Sequence, residues 1–405
     1  MALILLFVLF FINPVWSEVV VIQAKWMIDV ETGALHQNPV IVIRDGKFAE
    51  IGTTGTISIP EGATTVNLGN STLLPGLIDA HAHLAWKQAD QDKQAGEEEA
   101  LKTLLAGFTT VRNPGSTGKS DILLRDSIQQ GKLIGPRILA AGPALGTKGG
   151  VCDRVFAGEG VVNDKTEATN LVAELARQKA DLIKFCAGGG VIPGDQDQAT
   201  TELDGALIQA IIVEARRHGM KVAAHAQGPQ AILSAVREGV DSIEHGGLIN
   251  EEAAILMKEK GTYLVPTLYR LDWLVENAEK TAADPKTLET LRTSRTLVFE
   301  HIRKAIELDV PVAFGTDATV YPHGLNAREF SVLVKLGMSP VKAIQTATIH
   351  AAKLLGLADQ IGQIKAGMSA DLIAVNENPL QDITALERVH FVMKEGKIYA
   401  GPEVP

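Results

Sequence analysis

Four histidines, a lysine and an aspartate recur at the ends of short apolar runs in this chain, and all are residue types that can hold divalent metals. His81 and His83 close the first run, Leu77-Ile78-Asp79-Ala80. Lys184 lies in the fourth, Leu182-Ile183-Lys184-Phe185. His225 ends the fifth, His245 ends the sixth and Asp317 follows the eighth. Imidazole nitrogen and carboxylate oxygen suit Zn²⁺, and also Mn²⁺, Co²⁺ or Fe²⁺. Each residue alone has a bland reading. A His-x-His pair is a weak signal, although period-two spacing sets both rings on one strand face. His225 and His245 suit satisfied core histidines, and Asp317 suits a turn or a helix cap. Those readings need four independent coincidences of position, whereas one metal site accounts for all of them.

Lys184 is the sharpest residue of the set. An ammonium aimed among histidines and beside a cation is costly. Two resolutions stay open. A salt bridge to Asp181 or Asp317 would neutralise it. Alternatively, burial and nearby positive charge lower its pKa, and the neutral amine adds CO₂ to give a carbamate, an anionic bidentate ligand that bridges two metals.

The elements that must position these residues alternate in type. Strand patterns occur at 77–80, 109–111, 138–141, 182–185, 222–224, 242–244, 263–265 and 312–314, with helical patterns between them at 168–178, 206–217, 230–238 and 251–260, among others. Eight β-then-α units in about 250 residues have the count and size of a TIM-like (β/α)₈ barrel, whose active site lies at the C-terminal strand ends. An open doubly wound sheet is the competing α/β architecture, and no GxGxxG follows the first strand to favour it. The stretch 267–309 exceeds an ordinary βα connection and reads as a lid or specificity loop. Short strand-like runs before and after this region, with Asp45-Gly46 as a hairpin turn, predict a small β-sandwich built from both chain ends. The expected division is 1–17 leader, 18–72 first part of the sandwich, 73–358 barrel and 359–405 second part of the sandwich.

Composition narrows the function classes. The 405 residues carry a formal charge of −10, with 46% hydrophobic and 21% charged residues, a globular mixture that excludes a disordered or fibrous chain. The acidic balance argues against a nucleic-acid partner. Residues 2–12 are an unbroken apolar run too short to span a bilayer, ended by Asn13 and Pro14. The run reads as a secretory leader cleaved near Ser17, which predicts a secreted or periplasmic protein without a stable membrane span. An uncleaved anchor is the competing reading. Two cysteines are too few for a thiolate zinc site. Cys152 and Cys186 are left as either one disulfide or two buried thiols.

On these residues the chain resembles the amidohydrolase superfamily. The stretch Leu73-Leu74-Pro75-Gly76-Leu77-Ile78-Asp79-Ala80-His81-Ala82-His83 is similar to its strand-1 signature. Asp181-Leu182-Ile183-Lys184, Ala224-His225-Ala226, Ser242-Ile243-Glu244-His245-Gly246 and Phe314-Gly315-Thr316-Asp317 resemble its later stations. Gly367-Met368-Ser369-Ala370-Asp371-Leu372 is like its return into the sandwich. Within the superfamily the chain is most similar to the Xaa-Pro dipeptidase and Lys/Arg carboxypeptidase branch, related to ochratoxin-hydrolysing amidases. Imidazolonepropionases share the fold but lack the strand-4 lysine.

The resemblance implies one metal on His81, His83 and Asp317 and a second on His225 and His245, with zinc suited to both, and carboxylated Lys184 and a hydroxide as bridges. It also implies Asp317 as the proton carrier, a homo-oligomer, and a small-molecule substrate, a Xaa-Pro or Xaa-Lys/Arg dipeptide cleaved at the amide to its C-terminal residue. An N-acyl amino acid, a lactone or a cyclic amide is the second enzymatic reading, and a non-catalytic metal-binding relative the third. Tyr269, just past strand 7, either hydrogen-bonds an oxyanion or carboxylate or simply packs. His323, in Tyr321-Pro322-His323-Gly324, either binds a substrate carboxylate or braces its loop. Arg112 reads as a structural salt-bridge residue. Two departures from the branch bear on substrate identity: Gly149-Gly150-Val151 stands where Gly-Gly-His is common, and Gln227 where some relatives have an aromatic residue.

Overall fold

The computed structural model describes residues 19–85, 89–189 and 201–402. The expected leader, 1–17, lies outside them. Among the described residues no helix is long and apolar enough to cross a membrane.

Parallel strands alternate with helices through the middle of the chain. Strands Leu77–Asp79, Phe108–Asn113 and Arg137–Ala140 form one three-stranded sheet, and Leu182–Cys186, Lys221–Ala226, Ser242–His245 and Tyr263–Val265 form a second, four-stranded one. Every pairing in both is parallel. These strands are apolar on both faces because helices cover one side and core side chains fill the other. Helices Lys165–Arg177, Gly205–Arg217, Pro229–Arg237 and Glu251–Lys260 follow within a residue or three of their predicted bounds.

The predicted barrel differs in one respect. Its eighth strand, 312–314, is not a ladder but an isolated bridge: Leu264 N–H donates to Pro311 O at 2.8 Å and Ala313 N–H donates to Leu264 O at 3.0 Å, and on the other side Ala80 N–H donates to Phe314 O at 2.8 Å. Between the two sheets, Leu145 N–H donates to Lys184 O and Cys186 N–H donates to Leu145 O, each at 2.8 Å. The α/β content is as predicted, but the recorded sheets are two and not one continuous eight-stranded sheet.

Strands from both chain ends share a six-stranded sheet, in which Thr72–Pro75 and Trp26–Ile28 lie beside Leu372–Val375 and Phe391–Lys394. A four-stranded sheet from 20–67 packs against it through Ile22, Ile41, Ile43, Phe48, Leu372, Phe391 and Met393. Arg137 connects this region to the parallel strands. Its guanidinium pairs with Asp371 at 2.7 Å and Glu395 at 2.8 Å.

The stretch 267–309 is not a loop. Helices Tyr269–Lys280 and Pro285–Glu307 fill it. Asp284 caps the second helix by accepting from Lys286 N–H and Thr287 N–H, with Pro285 in the first turn where its missing donor is harmless. Leu291, Val298, Ile302 and Ala305 make its buried stripe. Length alone suggested a loop here; the helical period of the apolar residues carries the correct assignment.

The cysteines form a disulfide. Cys152, in the short helix Val151–Val155, joins Cys186, the last residue of the Lys184 strand, with a Cα–Cα distance of 5.7 Å. Bonds of this kind persist in oxidising compartments.

Glu329 fixes the start of the Tyr269 helix. Its carboxyl accepts from Leu268 N–H at 2.8 Å and Tyr269 N–H at 2.6 Å, taking the place of an N-cap. Burial pushes its pKa up to about 8 from an ordinary value of 4.5, against the lowering effect of those two donors. Between these values the folded chain holds a proton that the unfolded chain has lost, so stability falls as pH rises through the window. Glu329→Gln is therefore expected to flatten the decline in Tm between about pH 5 and about pH 8; an unchanged slope contradicts this role.

Candidate metal centre

His81 and Asp317 are fixed to one another by the backbone before their side chains meet. Thr316 N–H and Asp317 N–H both donate to His81 O, at 3.0 and 2.7 Å. Gly315 is required at this crossing, since a Cβ there would lie 2.9 Å from His81 Cβ and clash with Val265. Ala82 bridges Ala318, and His83 N–H donates to Ala318 O at 3.0 Å, which carries the extended path beyond Asp79. Asp317, His245 and Thr267 all have positive φ (57°, 69° and 51°), sparsely populated for residues with a side chain. Such strain concentrates where surrounding structure dictates side-chain direction.

The side chains converge. Asp317 Oδ1 is 3.5 Å from both His81 Nε2 and His83 Nε2. His81, His245 and Asp317 each offer a ligand atom within 4.8 Å of the others. The His81 and His245 rings are 5.0 Å apart, and those of His225 and His245 4.7 Å. Three of the rings are oriented from behind through Nδ1. His81 Nδ1 donates to Glu244 at 2.6 Å, His83 Nδ1 donates to Gly115 O at 2.9 Å, and His245 Nδ1 hydrogen-bonds Thr267 Oγ1 at 2.7 Å. This leaves Nε2 as the inward lone pair, the arrangement that fixes the tautomer of metal-binding histidines. His225 Nε2 is buried with no hydrogen-bond partner among the described residues. An orphaned imidazole nitrogen in this position fits a metal ligand, because a buried polar atom otherwise needs a partner.

Electrostatics support the same assignment. Burial pushes His83 and His225 down to about 3, so both are neutral and able to ligate. Burial pushes Asp317 up, but the His81 hydrogen bond and the nearby Arg270 and His83 outweigh it and hold the carboxyl below its usual range. Lys184 is buried and pushed down to about 8 by desolvation, with Glu244 opposing that shift and Arg112 adding to it. The salt bridge to Asp181 is not formed: Asp181 is taken by Arg125 at 2.6 Å. The Lys184 charge adds to the depression of both His83 and His225.

Glu244 is the principal residue that sequence reasoning passed over. It is wholly buried and accepts from Arg112 Nη2 at 2.7 Å, Ser242 Oγ at 2.5 Å and His81 Nδ1. Arg112 also donates through Nε to Ala80 O, which gives it the structural role expected of it. A charged residue in a buried parallel strand was the available signal. Thr267 and Arg270 were passed over as well. Arg270 Nε lies 3.6 Å from Asp317 Oδ2 and donates to Thr267 O and Oγ1 at 3.2 Å.

The substrate candidates divide. Tyr269 is buried, with its hydroxyl accepting from Arg328 at 2.6 Å and its ring against Tyr321. His323 has both nitrogens engaged. Nδ1 pairs with Thr103 Oγ1 at 2.9 Å, and Nε2 pairs with His83 O at 3.2 Å. It braces the His83 backbone and has no nitrogen to spare for a carboxylate. Gln227 accepts from Gly247 N–H at 2.9 Å, a loop-holding contact. Gly150 precedes the helix that carries Cys152, and the Val151 N–H donates to Glu202.

Comparison with known proteins points to one family. The model of the Amidohydrolase family matches residues 72–399. A Xaa-Pro dipeptidase solved with methionine bound in its active site is 36% identical with a TM-score of 0.87, covering 95% of this chain and 100% of that one. A prolidase in complex with N-methylphosphonate-L-proline is 28% identical with a TM-score of 0.85, covering 95% and 100%. Ochratoxinase from Aspergillus niger is 29% identical over 96% of this chain and 88% of its own. With the family matched over most of its length and the ligand-type residues gathered at one end of its parallel strands, the chain belongs to the amidohydrolase family.

Proposed function

We propose that this protein hydrolyses the amide bond to a C-terminal amino acid, in Xaa-Pro, Xaa-Lys or Xaa-Arg dipeptides, within parallel strands closed as a (β/α)₈ barrel. The observation that carries the reading is the convergence of four imidazoles and Asp317, with His225 Nε2 unpartnered among the described residues. His81, His83 and Asp317 would hold one divalent ion and His225 and His245 a second, with zinc suited to the donor set. Bound there, a pair of divalent ions lowers the pKa of water toward neutrality and polarises a carbonyl oxygen.

The chain's own residues supply the rest. Asp317, ionised at neutral pH, is placed to take a proton and return it to the leaving nitrogen. Tyr269 accepts from Arg328 and keeps its own hydrogen, which it can donate to a developing oxyanion. Lys184, pushed down to about 8, has an accessible neutral amine. That amine forms an N–C bond to CO₂ and releases a proton, replacing a buried cation with a bidentate anion. The solved dipeptidase and prolidase relatives support the dipeptide substrate. The likeness to ochratoxinase supports N-acyl amino acids as the second class.

Zinc-loaded protein incubated with Xaa-Pro, Xaa-Lys, Xaa-Arg and N-acyl amino acids is expected to release the free C-terminal amino acid from at least one class. Turnover of lactones or cyclic amides alone contradicts the reading. Asp317→Asn is expected to lower kcat by about 10²–10⁴-fold, the usual range for losing a general acid–base group, with circular dichroism unchanged; near-normal turnover removes Asp317 from proton transfer. Lys184→Ala is expected to lose metal and activity, both partly restored by added short carboxylates. Full activity without them rules out the carbamate.

A further inference from the structure

We infer that Arg270 recognises the free α-carboxylate of the substrate's C-terminal amino acid. This rests on the amide-hydrolase reading above and names the recognition element within that site. Three arginines surround the centre, and two are already matched. Arg112 pairs with Glu244 at 2.7 Å. Arg328 donates to the Tyr269 hydroxyl and lies 3.6 Å from Glu387. Arg270 is buried, yet its only acidic neighbour among the described residues is Asp317, at 3.6 Å through Nε. All its hydrogen bonds among the described residues also run through Nε, to Thr267. The two terminal nitrogens are left without a partner in that set.

A largely buried guanidinium with two terminal nitrogens unpaired among the described residues suits an anion with two acceptor oxygens, which is the geometry of a carboxylate. Position agrees. In an amide to an α-amino acid the carboxylate carbon lies roughly 2.5 Å from the amide nitrogen. A group adjacent to Asp317, which serves that nitrogen, is thus adjacent to the carboxylate. Arg270 Nε also donates to Thr267 Oγ1, the hydroxyl that orients His245, which sets it beside that ligand. His323, the other residue considered for this task, has both nitrogens engaged.

The test compares N-acyl amino acids and dipeptides with their α-carboxamides on wild type, Arg270→Met and Arg270→Lys. Binding of N-acetyl-L-proline and N-acetyl-L-prolinamide by calorimetry accompanies kcat and KM. Wild type is expected to favour acid over amide, and Arg270→Met to shrink that ratio by about 10- to 100-fold, as for loss of a charge-assisted pair, with the change in KM. Arg270→Lys is expected to fall between them, having charge without the bidentate fork. If Arg270 only braces Asp317, kcat falls equally on acid and amide and the ratio stays, which overturns the inference. Equal binding of acid and amide by wild type also overturns it. Turnover of the panel with an unmoved ratio leaves the hydrolase reading standing alone. Arg270-dependent acid binding without turnover leaves the carboxylate site standing and removes the hydrolase reading.

Discussion

The geometry of the centre depends on keeping one buried carboxylate fully paired. Glu244 has no solvent access and accepts from Arg112, Ser242 and His81 together. Arg112 in turn donates to Ala80 O and Ser242 Oγ. The first, second and sixth parallel strands are therefore locked through a single buried ion pair. Such a pair adds little net stability relative to apolar packing, but losing one partner typically costs about 3–5 kcal/mol because a bare charge remains inside. That asymmetry specifies the register, and with it the direction of His81 Nε2.

The remaining ligands are aimed by the same logic applied locally. Gly115 O orients His83, and Thr267 orients His245. Positive φ values at His245, Thr267 and Asp317 show that their backbones yield to side-chain placement. Around this rim, the disulfide anchors the segment after the third strand to the end of the Lys184 strand, and Phe156, one residue beyond the anchored helix, packs 5.9 Å from the His83 ring. Glu329 and Arg328 clamp Tyr269 from its backbone and its hydroxyl.

What was legible in the sequence follows from what is local. The strands carrying Lys184, His225 and His245 were readable because their apolar runs and turn residues are contiguous, and the helices because their period is. Glu244, Thr267 and Arg270 were less legible, because their roles arise from contacts across the fold; His81 and Glu244 are 163 residues apart in the chain. His323 shows the same limit in reverse. Its loop position left a carboxylate ligand and a loop brace both open, and only the packing of Thr103 and the His83 carbonyl around it shows the bracing contacts. The segment 312–314 is apolar enough to read as a strand, yet it pairs with Leu264 only as an isolated bridge.

A crystal structure of the zinc-loaded protein with anomalous scattering measured at the zinc edge tests the central claim most directly. The account predicts two peaks roughly 3.5–4 Å apart, the spacing of two-metal sites, contacted by His81, His83, His225, His245 and Asp317, with added density for a carboxylate on Lys184 Nζ. A single peak, or none, with Lys184 as an unmodified ammonium would contradict it.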